Sequence, residues 1–98
     1  MINITIDPTV PGTSYRPHWN RLVTAGRAHE GMYAPWREQL KKMQAELHFE
    51  YIRFHGIFND EMMVYREDES GNPQYNWQYT DNLFDFLLSI GLRPMLEL

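Results

Sequence analysis

A histidine and a glutamate stand at the ends of two apolar runs. Arg53-Phe54-His55-Gly56 closes the apolar-aromatic run over residues 49–58, and Glu97 lies between Leu96 and Leu98. A histidine at the carboxyl end of a buried strand can donate a hydrogen bond to a substrate hydroxyl, or exchange a proton near neutral pH. The same position also suits a partly buried histidine that only orients a neighbour. A carboxylate between two apolar residues needs a partner. Arg53 is the candidate in this chain, and that pairing is favoured over a substrate-facing Glu97. Gly56 directly after His55 fits a turn that needs positive φ. Arg27, preceded by Gly26, closes an earlier apolar run. It suits an anionic or hydroxyl-bearing group, or one half of an ion-pair network among strand ends, and spacing does not separate these.

The remaining chemistry is thinner. The four histidines, His18, His29, His48 and His55, include no i, i+4 pair and no H-E-x-x-H. No metal site is therefore expected. Nothing points to another cofactor, because there is no P-loop, no G-x-G-x-x-G and no G-x-S-x-G. Tyr75-Asn76-Trp77-Gln78-Tyr79 offers flat rings that stack on sugar faces. Aromatics just before a helix more often pin its start to the core, and that is the expectation here. Glu67-Asp68-Glu69 reads as a solvated loop.

Positioning these residues requires alternating elements. Ile2, Ile4 and Ile6 alternate and predict a short leading strand, ended by the Pro/Gly cluster over residues 7–13. Residues 21–27 predict a second strand. Pro35 suits a helix start, and Trp36, Leu40, Met43 and Leu47 then fall on one helical face. A buried strand follows over residues 50–55. Residues 59–79 read as a loop with a hairpin around Gly71. Thr80 is the expected N-cap of a second helix, with Asp81 favourable in its first turn. Leu83, Phe84, Leu87, Leu88 and Ile90 supply its apolar stripe, and Gly91 is its left-handed stop. Residues 92–98 predict a last strand, with Pro94 near its start.

Strand, helix, strand, helix, strand at this spacing predicts βαβ units and a parallel α/β sheet. Two helices cover one face only and leave the other bare. A closed (β/α)8 TIM barrel needs about 250 residues, so the pattern matches its N-terminal portion. The expected organisation is an N-terminal β segment and linker over 1–20, then an incomplete barrel over 21–98. Ile52, Phe54, Met95 and Leu96 are expected to be exposed in such a piece. Self-association, or contact with the remainder of its own barrel, follows from that expectation.

Composition narrows the class. The 98 residues are 43% hydrophobic and 22% charged, a globular rather than a disordered profile. Thirteen acids against nine bases, a net charge of −4, argue against nucleic acid as a partner. No apolar run is long enough to span a bilayer, so no membrane role is expected. The absence of cysteine removes thiol catalysis and disulfide scaffolds. With no visible secretory signal, a cytoplasmic location is expected.

Several stretches in order resemble one family. They are Ala25-Gly26-Arg27-Ala28, Gln39-Leu40 with Met43-Gln44, residues 49–58, Asn59-Asp60-Glu61-Met62 and Val64-Tyr65. Tyr75-Asn76-Trp77, Asp81, Asp85-Phe86-Leu87 and residues 91–98 continue the series. Over residues 20–98 the chain resembles the N-terminal part of glycoside hydrolase family 39, the β-xylosidase and α-L-iduronidase family, with the xylosidase branch nearer. The resemblance implies a (β/α)8 barrel and retaining hydrolysis of xylo-oligosaccharides or related glycosides by two glutamates. Those glutamates follow the fourth and seventh strands, so by the resemblance both lie beyond residue 98 and this chain alone is inactive. His55 matches the family histidine that binds the sugar beside the cleaved bond. Arg53, Gly56 and Glu97 match supports of the site floor, and Gly26 and Arg27 match the end of the first strand. Family-39-like barrels also occur in AraC-type transcription regulators, so a sugar-sensing module without catalysis is the alternative.

Overall fold

The computed structural model describes residues 1–98. Its centre is a three-stranded parallel sheet in the order β1 (Leu22–Arg27), β2 (Tyr51–His55) and β5 (Arg93–Leu96). Helix α1 (Ala34–Leu47) connects β1 to β2, and helix α2 (Gln78–Ser89) precedes β5. Between β2 and α2 the chain forms a small antiparallel hairpin, β3 (Tyr65–Glu67) with β4 (Pro73–Tyr75). No helix is long and apolar enough to cross a membrane.

Strand β2 has a neighbour on each side, and its Tyr51, Ile52 and Arg53 are each aligned with residues of both. Val23, Ile52 and Pro94 stand in one row, and Thr24, Arg53 and Met95 in the next. Side chains alternate across a strand, so these rows face opposite ways. Ile52 and Phe54 are 1% and 3% exposed, in one core with Leu40 of α1 and Leu83, Phe86 and Leu87 of α2. This corrects the expectation that they lie bare: the apolar face is the one under the helices. The open face carries Thr24, Arg53 and His55 instead. Met95 and Leu96 are exposed as expected, at 44% and 39%.

Helix α1 has Pro35 in its first turn, where no intrahelical donor is needed. Leu40 is buried, and Trp36 and Met43 pack against the core. Leu47, the fourth member of the expected stripe, is exposed, and Gln44 is buried in its stead. Its amide makes two bonds to one residue: Phe49 N–H donates to Gln44 Oε1 at 2.9 Å, and Gln44 Nε2 donates to the Phe49 carbonyl at 2.8 Å. The intervening His48 is left-handed, with φ 54°. This bracket turns the chain directly into β2.

Helix α2 begins before the expected cap. Asn76 Oδ1 accepts the Gln78 N–H at 3.0 Å, so an asparagine ahead of the helix serves its first turn. Thr80 lies inside that turn and is buried, with its hydroxyl unpartnered. Phe86, absent from the expected stripe, is buried beneath Arg37, whose guanidinium carbon lies 4.7 Å from the ring centre. Leu88, which that stripe includes, is exposed. The helix ends as Gly91 predicts. Gly91 has φ 79°; its N–H donates to the Leu88 carbonyl, and the Leu92 N–H donates to that of Leu87. These two bonds form a Schellman motif, and the buried pair Leu87 and Leu92 seals it.

The leading strand expected over Ile2, Ile4 and Ile6 does not form. Residues 1–18 contain no regular element, and the three isoleucines are exposed. A strand needs a ladder partner, and no other segment of the chain lies beside this one. Its local order is a turn in which Asp7 Oδ1 accepts the Thr9 N–H at 2.9 Å and hydroxyl at 2.7 Å. Those bonds hold the Asp7 carboxyl below its usual range.

Candidate active-site floor

Parallel strands end at the same edge of a sheet, and connections leaving that edge carry the chemistry of α/β proteins. Here β1 ends in Arg27 and β2 in His55, which are register partners, and Glu97 follows β5. The Glu97 N–H donates to the Phe54 carbonyl at 3.1 Å and extends the ladder by one step. That step sets Glu97 beside Arg53, whose Nε lies 2.8 Å from Glu97 Oε1 as an ion pair. The pairing expected from residue types is therefore present. Both side chains are nearly half exposed, so its stabilising contribution is at most about 1 kcal/mol. Its effect is orientation: it holds two long side chains across adjacent strands.

Arg27 belongs to a second ion pair. Its Nε lies 3.0 Å from Glu61 Oε1, and His29 Nδ1 lies 3.8 Å from Glu61 Oε2. Glu61 Oε1 is buried and has no hydrogen-bond partner, so the Arg27 contact is charge to charge rather than an aligned bond. His29 also approaches the Tyr33 hydroxyl at 3.5 Å, with the rings edge to face. Of the two readings open for Arg27, the geometry shows the ion pair. Glu61 was invisible to spacing arguments, because it lies in the short 3-10 turn Asp60–Met62, thirty-four positions after Arg27.

His55 is exposed, on the open face, and makes no side-chain hydrogen bond within the chain. Gly56 follows with φ 75°, and a Cβ there would fall 2.7 Å from Asn59 Nδ2. Only glycine allows the chain to reverse so closely past His55. Gly26 is exposed before Arg27, and the Glu30 carboxylate fills the space a Cβ would take. No three His, Asp or Glu residues gather as a metal set.

The aromatic cluster corrects the expectation of a pinned helix. Only Tyr79 packs against the core, while Tyr75 and Trp77 are exposed. The reason is the earlier helix start: Tyr79 falls in the first turn, and Tyr75 belongs to the hairpin. There Tyr65 and Tyr75 are cross-strand partners with ring centres 5.7 Å apart. The Tyr65 hydroxyl donates to Glu67 Oε1 at 2.8 Å, which raises its pKa above the ordinary phenol value.

Comparison with known proteins gives a consistent result. The family model of glycosyl hydrolases family 39 matches residues 2–98, extending the resemblance into the N-terminal segment. A beta-xylosidase of Caldicellulosiruptor saccharolyticus is 42% identical over 80 residues, covering 82% of this chain and 16% of that protein. A beta-xylosidase of Geobacillus stearothermophilus is 33% identical over 86 residues, covering 85% of this chain and 17% of that protein. Among solved structures, a monomeric beta-xylosidase from Caulobacter crescentus superposes with a TM-score of 0.76 at 33% identity, over 81% of this chain and 16% of that one. The GH39 enzyme from Xanthomonas axonopodis pv. citri gives 0.75 at 32%, over 81% and 15%. The chain spans about a sixth of the length of the curated relatives it matches.

Proposed function

Because this chain belongs to glycosyl hydrolases family 39, we propose that the protein containing it is a retaining glycosidase that cleaves β-xylosides. The observation that carries the reading is the 42% identity to a beta-xylosidase across 82% of the chain. In this reading the three parallel strands are the first part of a (β/α)8 barrel. The Arg53–Glu97 pair and the reversal at Gly56 support the floor of its site. His55 donates a hydrogen bond to a hydroxyl of the sugar beside the cleaved bond, and its freedom from other side-chain bonds suits that role. Retaining hydrolysis requires one carboxylic acid to protonate the leaving oxygen and one carboxylate to attack the anomeric carbon. Glu97 follows the third parallel strand and takes neither part, because the family places its two glutamates after the fourth and seventh barrel strands.

The test is hydrolysis of an aryl β-xyloside by the 98-residue chain and by its full-length gene product. Turnover by the longer protein only is the expected result. No turnover of any aryl glycoside by the longer protein would overturn the reading.

A further inference from the structure

Resting on the glycosidase reading, we propose that Glu61 is a positioning residue: its carboxylate locks the turn after β2 to the end of β1 and thereby fixes where His55 stands.

The need for such a lock follows from the sheet. His55 is the last residue of β2 and makes no side-chain bond, so its backbone alone places its ring. On the β5 side that backbone is held by the Glu97 N–H, which donates to the Phe54 carbonyl at 3.1 Å. On the β1 side the ladder is irregular. Between the pairs Thr24–Arg53 and Arg27–His55, β1 advances three residues and β2 only two. The extra residue gives β1 a bulge, with Gly26 inside it. A bulge interrupts pairing and re-aims the side chains beside it. The ladder therefore loosens just before the pair that carries His55.

Directly after His55 the chain reverses at Gly56, with φ 75°. Backbone bonds then coil it tightly. The Asn59 N–H donates to the Gly56 carbonyl at 3.2 Å, and the Met62 and Met63 N–H groups donate to the carbonyls of Asn59 and Asp60, each at 2.9 Å. Ile57, Met62 and Val64 are buried, so the coil is anchored in the core. Glu61 is the residue of this coil that reaches back to β1. Its Oε1 lies 3.0 Å from Arg27 Nε, and its Oε2 lies 3.8 Å from His29 Nδ1. The result is a closed circuit. His55 leads to Glu61 along the chain, Glu61 to Arg27 through charge, and Arg27 back to His55 through the register.

Stability alone does not account for this pair. Glu61 Oε1 is buried and accepts no hydrogen bond, and burying a carboxylate oxygen in that way is unfavourable. Apolar side chains would fill a partly buried site with less desolvation. What the pair does supply is a defined distance between two loops, and those loops flank His55.

The test is a double-mutant cycle in the intact gene product, with Glu61→Gln, Glu61→Ala and His55→Ala made alone and in combination. kcat/KM is measured on an aryl β-xyloside, and xylose affinity by NMR titration. Each Glu61 variant is expected to lower kcat/KM about three- to tenfold in the native background and less than about twofold beside His55→Ala, because a residue that acts through His55 then has nothing left to position. Xylose affinity should follow the same non-additive pattern. Equal losses in the two backgrounds would make Glu61 merely structural and overturn the role. Unchanged kcat/KM in Glu61→Gln, which removes the charge and keeps the shape, would overturn it as well. Where Glu61→Ala does not fold, Glu61→Gln carries the cycle. A wild type that binds xylose without cleaving any glycoside overturns the hydrolase reading alone, and the cycle is then read in affinity. One that does neither overturns both.

Discussion

Strand β2 presents two faces built from alternate residues, and they differ in nearly every physical respect. Ile52 and Phe54 are sealed under both helices, while Arg53 and His55 stand in the open. The first pair is held by shape and exclusion of water; of the second, Arg53 is held by charge against Glu97, and His55 makes no side-chain bond at all. A five-residue strand thus separates what folds the protein from what is available for chemistry, with no residue shared between the two tasks.

The separation can be broken or sharpened by substitution. Phe54→Ala removes a buried ring and should cost about 3–5 kcal/mol in denaturant unfolding of the intact gene product. A loss under 1 kcal/mol would show that the helices do not seal this face. His55→Ala should leave the unfolding midpoint almost unchanged and lower kcat/KM on an aryl β-xyloside about tenfold, the worth of one lost hydrogen bond. A large stability loss there would return His55 to a structural role. Gly91→Ala tests the turn that delivers β5 to the sheet. Forcing an alanine to positive φ should cost about 1–2 kcal/mol, read from the same unfolding curves. Arg53→Met breaks the half-exposed pair with Glu97, and its cost should stay below about 1 kcal/mol. A larger cost would mean that the open face also carries the fold.

The smallest effect lies away from both faces. Hydrogen bonds from the Asn72 side chain and backbone, then from the Ser70 N–H, hold the Asp68 carboxyl below the usual carboxylate range. A depressed folded-state pKa adds stability that is present above the ordinary value of about 3.9 and is lost as pH falls through the folded value. The amide resonances of Ser70 and Asn72 should therefore move together below pH 4, while those of β2 stay put. Simultaneous movement of β2 would join the hairpin to the sheet as one cooperative unit.

Much of this was legible from residue spacing. The period of Trp36, Leu40 and Met43, the β-rich run ending at His55 and the Gly91 stop each state a local rule that tertiary structure did not override. The Arg53–Glu97 pair was legible because a carboxylate between leucines needs a cation nearby. Other features depend on partners that no local pattern names. Alternation at Ile2, Ile4 and Ile6 describes a strand only if another strand lies alongside. Thr80, the expected cap, falls inside α2, and Asn76 two residues ahead of the helix accepts a first-turn N–H instead. Which face of β2 is covered depends on the side its crossovers take. Glu61 lies in a turn with no periodicity, and its meeting with Arg27 exists only after two loops converge.

The bracket at the end of α1 has a consequence for mutational tolerance. Gln44 counts as a polar helical residue in any tally of composition, yet its amide must both accept from and donate to Phe49. Glutamate keeps the acceptor and sets a second oxygen against the Phe49 carbonyl; lysine keeps only a donor; leucine keeps neither. In a saturation library the position should behave like a core site, rejecting both the similar acid and the similar hydrophobe. Its neighbour Ala45, exposed one step along the helix, should accept nearly anything but proline.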